Sequence, residues 1–147
     1  MVISKKGLEL IKEFEGLRLK AYLDSAGVPT IGFGTIRYPD GTKVKMGDVC
    51  TEKQADEWLL YEVTEKTRSI NTLVKMSINQ NQFDALCSFA YNVGTGALGK
   101  STLLKRVNIN PFDQLIRSEF LKWNRAGGAV VKGLTIRRTK EASLYFA

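Results

Sequence analysis

The chain contains no histidine. That excludes Ser-His-Asp and Cys-His catalysis, and any zinc site that needs an imidazole ligand. Only two cysteines are present, Cys50 and Cys87, and their separation rules out a C-x-x-C motif. Neither a P-loop nor a G-x-G-x-x-G fingerprint occurs. No stretch approaches the roughly 18 apolar residues of a membrane span. No run of Lys and Arg exceeds two residues, which weakens the case for a nucleic-acid-binding arm. An enzyme built from this chain must draw its proton-transfer groups mainly from Glu and Asp, less often from Lys, Tyr or Cys.

What is present is ordinary for a soluble globular protein, with 44% apolar and 25% charged residues. At 147 residues the expectation is one domain spanning 1–147. Lys and Arg number 22 against 15 Asp and Glu, a formal +7. That balance favours acidic partners such as nucleic acid, anionic lipid or anionic wall polymers, and does not choose among them. The amphipathic start, MVISKKGLELIKEFEG, lacks the apolar stretch of a signal peptide. The chain is therefore expected to be made in the cytosol without an export address of its own.

Ser4 can cap a first helix, with Ile3 and Leu8 as a hydrophobic staple. Leu8, Ile11 and Glu15 share one face, widened by Leu10 and Phe14, while Lys5, Lys6, Glu9, Lys12 and Glu13 fall on the wet side. Gly16 suits the residue that ends this helix. Glu15 is thus predicted at the last turn and on the inward side, where a carboxyl is partly desolvated. Leu17, Leu19, Ala21 and Leu23 then alternate with Arg18, Lys20, Tyr22 and Asp24, up to a turn at Asp24-Ser25-Ala26-Gly27. On the return strand Thr30 shares its face with Gly32 and Gly34, where a ligand could approach the backbone. Residues 42–44 complete a small antiparallel sheet.

The rest reads as helical. Thr51 with Gln54, and Asn79 with Gln82, form capping boxes. The first opens a long helix to Leu73 or Val74, with Ala55, Trp58, Leu59, Val63, Thr67 and Ile70 inward. The second carries Phe83, Leu86, Cys87, Ala90 and Tyr91 inward. Ser101 opens a short helix through Leu104. Asn110-Pro111 starts another bearing Leu115, Ile116, Phe120 and Trp123. Gly127, Gly128 and Gly133 precede a last helix containing Arg137, Arg138 and Leu144. The pattern predicts an α+β fold: a small antiparallel β-lobe at about residues 15–50, and a larger helical lobe from 1–14 and 51–147, joined by a long helix with a cleft between the lobes.

The pattern E-G-(x7)-D-(x5)-T-I-G-x-G, here Glu15-Gly16, Asp24, Thr30-Ile31-Gly32 and Gly34, resembles the phage lysozymes of glycoside hydrolase family 24. The resemblance continues through Asn79-Gln80-Asn81-Gln82-Phe83-Asp84-Ala85-Leu86, Phe89, Asn92 and Gly94. It goes on through Ser101-Thr102-Leu103, Trp123-Asn124-Arg125-Ala126-Gly127-Gly128, Gly133-Leu134 and Arg137-Arg138, and so spans nearly the whole chain. It is strongest with the short, cytoplasmically made endolysins of phages that infect Gram-negative bacteria. Family members often carry His directly after G-x-G, paired with an acidic residue of the helical lobe. Thr35 stands there in this chain and cannot make that ion pair.

The resemblance implies a lysozyme-like fold and hydrolysis of the β-1,4 bond between N-acetylmuramic acid and N-acetylglucosamine in peptidoglycan, with inversion. It implies no cofactor or metal, and release to the wall through a separate membrane-lesion protein. Glycan strands would be the partner of a monomer that binds no nucleic acid and does not insert stably in a membrane. The location would be host cytoplasm first, then the periplasm and wall.

The chemistry of the residues fits that reading. Glycoside cleavage needs a protonated acid at the leaving oxygen and a carboxylate for the other face of the sugar. Glu15 suits the acid, Asp24 the ionised partner that guides water, and Thr30 a hydroxyl that helps hold it. Plainer readings exist. Asp24 alone is a turn former, Thr30 alone a strand residue, and Glu15 a helix-end carboxylate. Arg137-Arg138 reads equally as a solvated face or a wall-binding patch. Cys87 reads as a core thiol and Cys50 as chemically idle, both reduced in the cytosol. Competing functions are a silent glycan-binding module, a lytic transglycosylase and a basic nucleic-acid binder.

Overall fold

The computed structural model describes residues 1–147. The chain forms two compact units, Leu8–Glu65 and a second made of Met1–Gly7 with Lys66–Ala147. It passes between them inside α1 (Lys5–Glu15) and inside α2 (Glu52–Thr67).

The Leu8–Glu65 unit holds β1 (Arg18–Leu23) and β2 (Pro29–Gly32), an antiparallel pair with Tyr22 opposite Thr30 and Leu23 opposite Pro29. A bulge lies between Arg18 and Tyr22. It breaks the expected simple alternation. Leu19 and Leu23 are 46% and 56% exposed, and the core is made instead by Ile11, Ile31, Phe33, Val44, Ala55, Leu59 and Val63. The expected third strand at 42–44 is reduced to an isolated bridge between Arg37 and Lys43. Lys12, expected on the wet side, is drawn in: its ammonium lies 2.7 Å from Asp56 Oδ1 and 5.5 Å from the centre of the Phe33 ring.

The capping box that starts α2 is present. Gln54 N donates to Thr51 Oγ1 at 3.1 Å, and Thr51 N donates to Gln54 Oε1 at 2.9 Å. The helix stops at Thr67, and a separate turn, α3 (Ile70–Leu73), follows. The inward stripe nonetheless continues across the break, because Thr67 and Ile70 are both buried.

In the other unit, α4 (Gln80–Val93) is the central element. Its capping box is formed by Asn79 and Gln82, and every residue from Gln82 to Ala90 is buried. A helix surrounded on all sides need not show a polar face, which is why a one-sided stripe understated its burial. Next come α5 (Thr95–Lys100), not anticipated, and α6 (Thr102–Ile109), longer than expected. Asn110-Pro111 does not start a helix. Asn110 Oδ1 accepts from Phe112 N and Asp113 Oδ1 from Leu115 N, so two side-chain turns occupy 110–115. α7 begins only at Ile116 and ends at Leu121. Arg125–Ala126 (β3) and Ala129–Val130 (β4) pair as a hairpin. Gly127 and Gly128 have φ of +58° and +80°, as the tight hairpin turn between twisted strands requires. α8 (Lys132–Tyr145) packs on α4 and α7.

Candidate active site

Glu15 is the last residue of α1 and is half-buried, while Glu13 is exposed. At Gly34 the backbone comes close to this carboxylate. A Cβ built on Gly34 would lie 3.6 Å from Glu15 Oε2, and Gly34 has φ of +87°. The backbone of the segment after β2 thus runs beneath the carboxylate in a conformation that L side chains rarely adopt. Gly32 serves differently from expectation. Its own missing side chain admits α2, since a Cβ there would lie 3.1 Å from the Ala55 Cβ. It is helix, rather than ligand, that comes close at this glycine.

Asp24 follows β1 directly and is half-buried. Its Oδ1 accepts from Ala26 N at 2.8 Å and from Val28 N at 2.9 Å, an Asx turn that closes the hairpin. Both turn N–H groups go to one oxygen, which leaves Oδ2 for another donor. Thr30, in β2, is buried, and its hydroxyl donates to Val28 O at 2.8 Å. With its proton committed, Thr30 Oγ1 is left as an acceptor. All three residues lie in the Leu8–Glu65 unit, on successive elements of the chain.

Thr35 is fully buried, and its Oγ1 has no hydrogen-bond partner. Its backbone is held in a tight pair with Ile31, through Thr35 N to Ile31 O at 2.8 Å and Ile31 N to Thr35 O at 2.9 Å. A buried hydroxyl left unpaired costs about 1–3 kcal/mol.

Arg137 and Arg138 are neither a solvated face nor a surface patch. They are 4% and 0% exposed. Arg138 forms an ion pair with Glu141, donates to Asn92 Oδ1 and donates through Nε to Trp123 O at 2.9 Å. Its guanidinium also lies 5.0 Å from the centre of the Phe89 ring. Burial draws the Arg138 pKa below its ordinary value, against the Glu141 charge that holds it up. Arg137 donates to Glu141 Oε2 at 3.3 Å and to Ser88 O at 3.2 Å, and Ser88 Oγ donates to Glu141 Oε2 at 2.6 Å. Sequence reading missed this network because its acceptors other than Glu141, namely Ser88 O and Asn92 Oδ1 of α4 and Trp123 O, lie far away in the chain. A signal was available: Glu141 stands at i+3 and i+4 from the two arginines, the spacing of helical ion pairs.

A second unforeseen buried carboxylate, Asp84, accepts from Ser4 N at 2.9 Å and from Gln80 Nε2 at 2.8 Å, and also bonds the Ser4 hydroxyl. Ser4 Oγ in turn accepts from Gly7 N at 3.3 Å, as an N-cap does. Both cysteines are free thiols; Cys87 is buried and Cys50 half-buried. No group of three or more Cys, Asp or Glu side chains could hold a metal ion, and no helix is long and apolar enough to cross a membrane.

The fold and these residues define a lysozyme-like protein. The phage lysozyme family matches residues 12–141, and the chain belongs to that family. It is 47% identical over 146 residues to an endolysin of Bacillus phage B103, covering 99% of this chain and 54% of that relative, so it spans about half of that protein's length. Among solved structures it resembles an endolysin from Escherichia coli O157:H7 phage FAHEc1, with 44% identity and a TM-score of 0.90, covering 99% of this chain and 93% of the other. It also resembles a mutant of P22 lysozyme, with 38% identity and a TM-score of 0.91, covering 100% and 99%.

Proposed function

We propose that this protein is a muramidase. It hydrolyses the β-1,4 bond between N-acetylmuramic acid and N-acetylglucosamine in bacterial peptidoglycan and so lyses the host cell. Residues 1–147 act as one lysozyme domain and as a monomer, made in the host cytoplasm and reaching the wall on release. Glu15 gives its proton to the glycosidic oxygen as the C1–O bond breaks. A water bound between Asp24 and Thr30 attacks C1 from the opposite face. Asp24 takes the proton that the water loses, and Thr30 Oγ1 accepts the water's other O–H. The carboxylates are used as acid and base on opposite faces, as glycoside hydrolysis requires.

One observation carries the reading. A half-buried glutamate ends α1 over a glycine backbone, in the same compact unit as a turn aspartate with an uncommitted oxygen. Supporting it, relatives that cover nearly the whole chain are an endolysin and a lysozyme by name.

The test is lysis of outer-membrane-stripped Gram-negative cells, followed by turbidity, with the parent beside Glu15→Gln and Glu13→Gln. The parent and Glu13→Gln should clear the suspension. Glu15→Gln should fold normally and lose at least about 100-fold, the scale of a lost proton donor. Lysis by Glu15→Gln near the parental rate would refute the mechanism. Products lacking the mass of an added water would identify a transglycosylase instead.

A further inference from the structure

A second feature of the Leu8–Glu65 unit is not used by the chemistry above. An open hollow of about 560 Å³ is lined by Tyr38, Asp40, Asp48, Val49, Gln54 and Trp58. None of these residues belongs to the proposed catalytic trio.

The lining combines an aromatic wall with a polar rim. The Tyr38 and Trp58 rings stand 4.8 Å apart, tilted by 55°. Tyr38 Oη donates to Asp48 Oδ2 at 2.6 Å, which fixes the phenol against the rim. Asp48 Oδ2 also accepts from Lys45 N at 3.0 Å, so its Oδ1 is left over. Asp40 uses Oδ1 twice, for Thr42 N at 2.9 Å and Thr42 Oγ1 at 2.7 Å, and so keeps Oδ2. Gln54 gives its Oε1 to the cap of α2 and keeps its amide N–H groups. The free functions at the rim are therefore two carboxylate oxygens and an amide donor, beside a flat apolar face.

These functions match a pyranose ring. Its C–H face packs on an aromatic ring, its hydroxyls donate to carboxylates, and an acetamido carbonyl accepts from an amide. Charge narrows the choice. Every ionised group lining the hollow is a carboxylate, although the whole chain carries +7. A sugar bearing its own carboxylate is repelled there; an uncharged one is not.

We propose that this hollow is a secondary glycan subsite that holds an uncharged N-acetylhexosamine, such as the N-acetylglucosamine unit of a strand, in preference to the carboxylated muramic unit. The inference rests on the muramidase reading for its polymer and is separable from it in experiment. Its role is to keep the enzyme on a long strand between cleavages: a second contact raises the local concentration of substrate without altering the chemistry.

The chain has two tryptophans, so each indole N–H gives a separate resonance. The experiment titrates a β-1,4 N-acetylglucosamine tetramer into Glu15→Gln protein and follows both indole resonances by heteronuclear NMR. Trp58 should shift and saturate while Trp123 stays in place. Val49 is 69% exposed, so Val49→Glu fills the hollow with a carboxylate without disturbing the core. This change should weaken the Trp58 response about tenfold. In otherwise unaltered protein it should lower the ratio of whole-wall lysis to cleavage of a soluble oligomer by about the same factor. A motionless Trp58, or an unchanged ratio in Val49→Glu, overturns the subsite even if the parent lyses walls. A Trp58 that responds to cadaverine and not to the sugar overturns the sugar assignment in favour of an ammonium ligand. A saturating Trp58 response, together with a failure of the unaltered parent to lyse walls, would leave the subsite standing and remove the muramidase reading.

Discussion

Asp24 and Thr30 are bound to the same residue. Val28 O accepts from Asp24 N at 3.0 Å and from the Thr30 hydroxyl at 2.8 Å, while Val28 N donates to Asp24 Oδ1 at 2.9 Å. The hairpin turn therefore sets the carboxylate and the hydroxyl together, and a change at either is felt through Val28. The turn former and the proposed water guide are the same side chain, acting through different oxygens.

That division of labour can be separated. Asp24→Asn keeps a carbonyl oxygen for the N–H groups of Ala26 and Val28 but loses the charge. Stability should change by no more than about 0.5 kcal/mol, and lysis should fall at least about 100-fold. Asp24→Ala should lose both, with the orphaned turn costing about 1 kcal/mol. Urea unfolding beside a turbidity assay reads the two effects. An Asp24→Asn enzyme of parental activity would leave Asp24 a turn former only.

The buried network of α8 predicts a large stability effect away from the site. Glu141→Gln retains shape but leaves Arg138 buried without its counter-charge, and should cost about 3–5 kcal/mol. A triple variant, Arg137→Met and Arg138→Met with Glu141→Leu, removes all three buried charges and should recover much of that loss. Urea midpoints with an unchanged slope would establish it. Equal destabilisation by the single and triple variants would mean that packing, and not charge, matters there.

Cys87 should make the protein sensitive to alkali. Burial pushes its thiol from the ordinary 9.0 up to about 12. The folded state then holds the proton more tightly than the unfolded chain does. This contribution is fully present below the unfolded pKa and is lost as pH rises from about 9 towards 12. Stability measured from pH 8 to 10 should fall less steeply in Cys87→Ala than in the parent, even though the variant starts lower. A thiol reagent should label Cys50 in the native protein and both cysteines only after unfolding. A single labelled thiol in the unfolded, unreduced protein would reveal a modification that the free-thiol state excludes.

Charge steering must now come from other residues than Arg137 and Arg138. The exposed lysines, Lys5 and Lys6 among them, remain available. Lysis of whole walls should weaken as salt rises past about 0.1 M, where the screening length is about 10 Å. Cleavage of a short neutral oligosaccharide should change much less. The same salt dependence for both substrates would rule steering out.

Features decided by neighbours in the chain were readable in the sequence. The boxes at Thr51–Gln54 and Asn79–Gln82 form as expected, because a cap needs only a side chain and an N–H three residues away. Glu15 lies at the last turn of α1 for the same reason: helical periodicity and Gly16 suffice to place it. Contacts between distant segments decided the rest. The Asn110-Pro111 pair carries a strong local helix signal, yet the side chains of Asn110 and Asp113 turn the chain there and Pro111 O accepts from the Tyr145 hydroxyl at 2.7 Å. Leu19 and Leu23 alternate as core residues do, but the bulge and the small sheet leave them in water. Arg137 and Arg138 look like surface charge in one dimension. Only folding supplies the carbonyls, amide and aromatic ring that make their burial tolerable, since a guanidinium leaves water only when its donors and charge are met. Local hydrogen bonding and periodicity can be read along the chain; the burial of a charge depends on partners that only the tertiary structure brings to it.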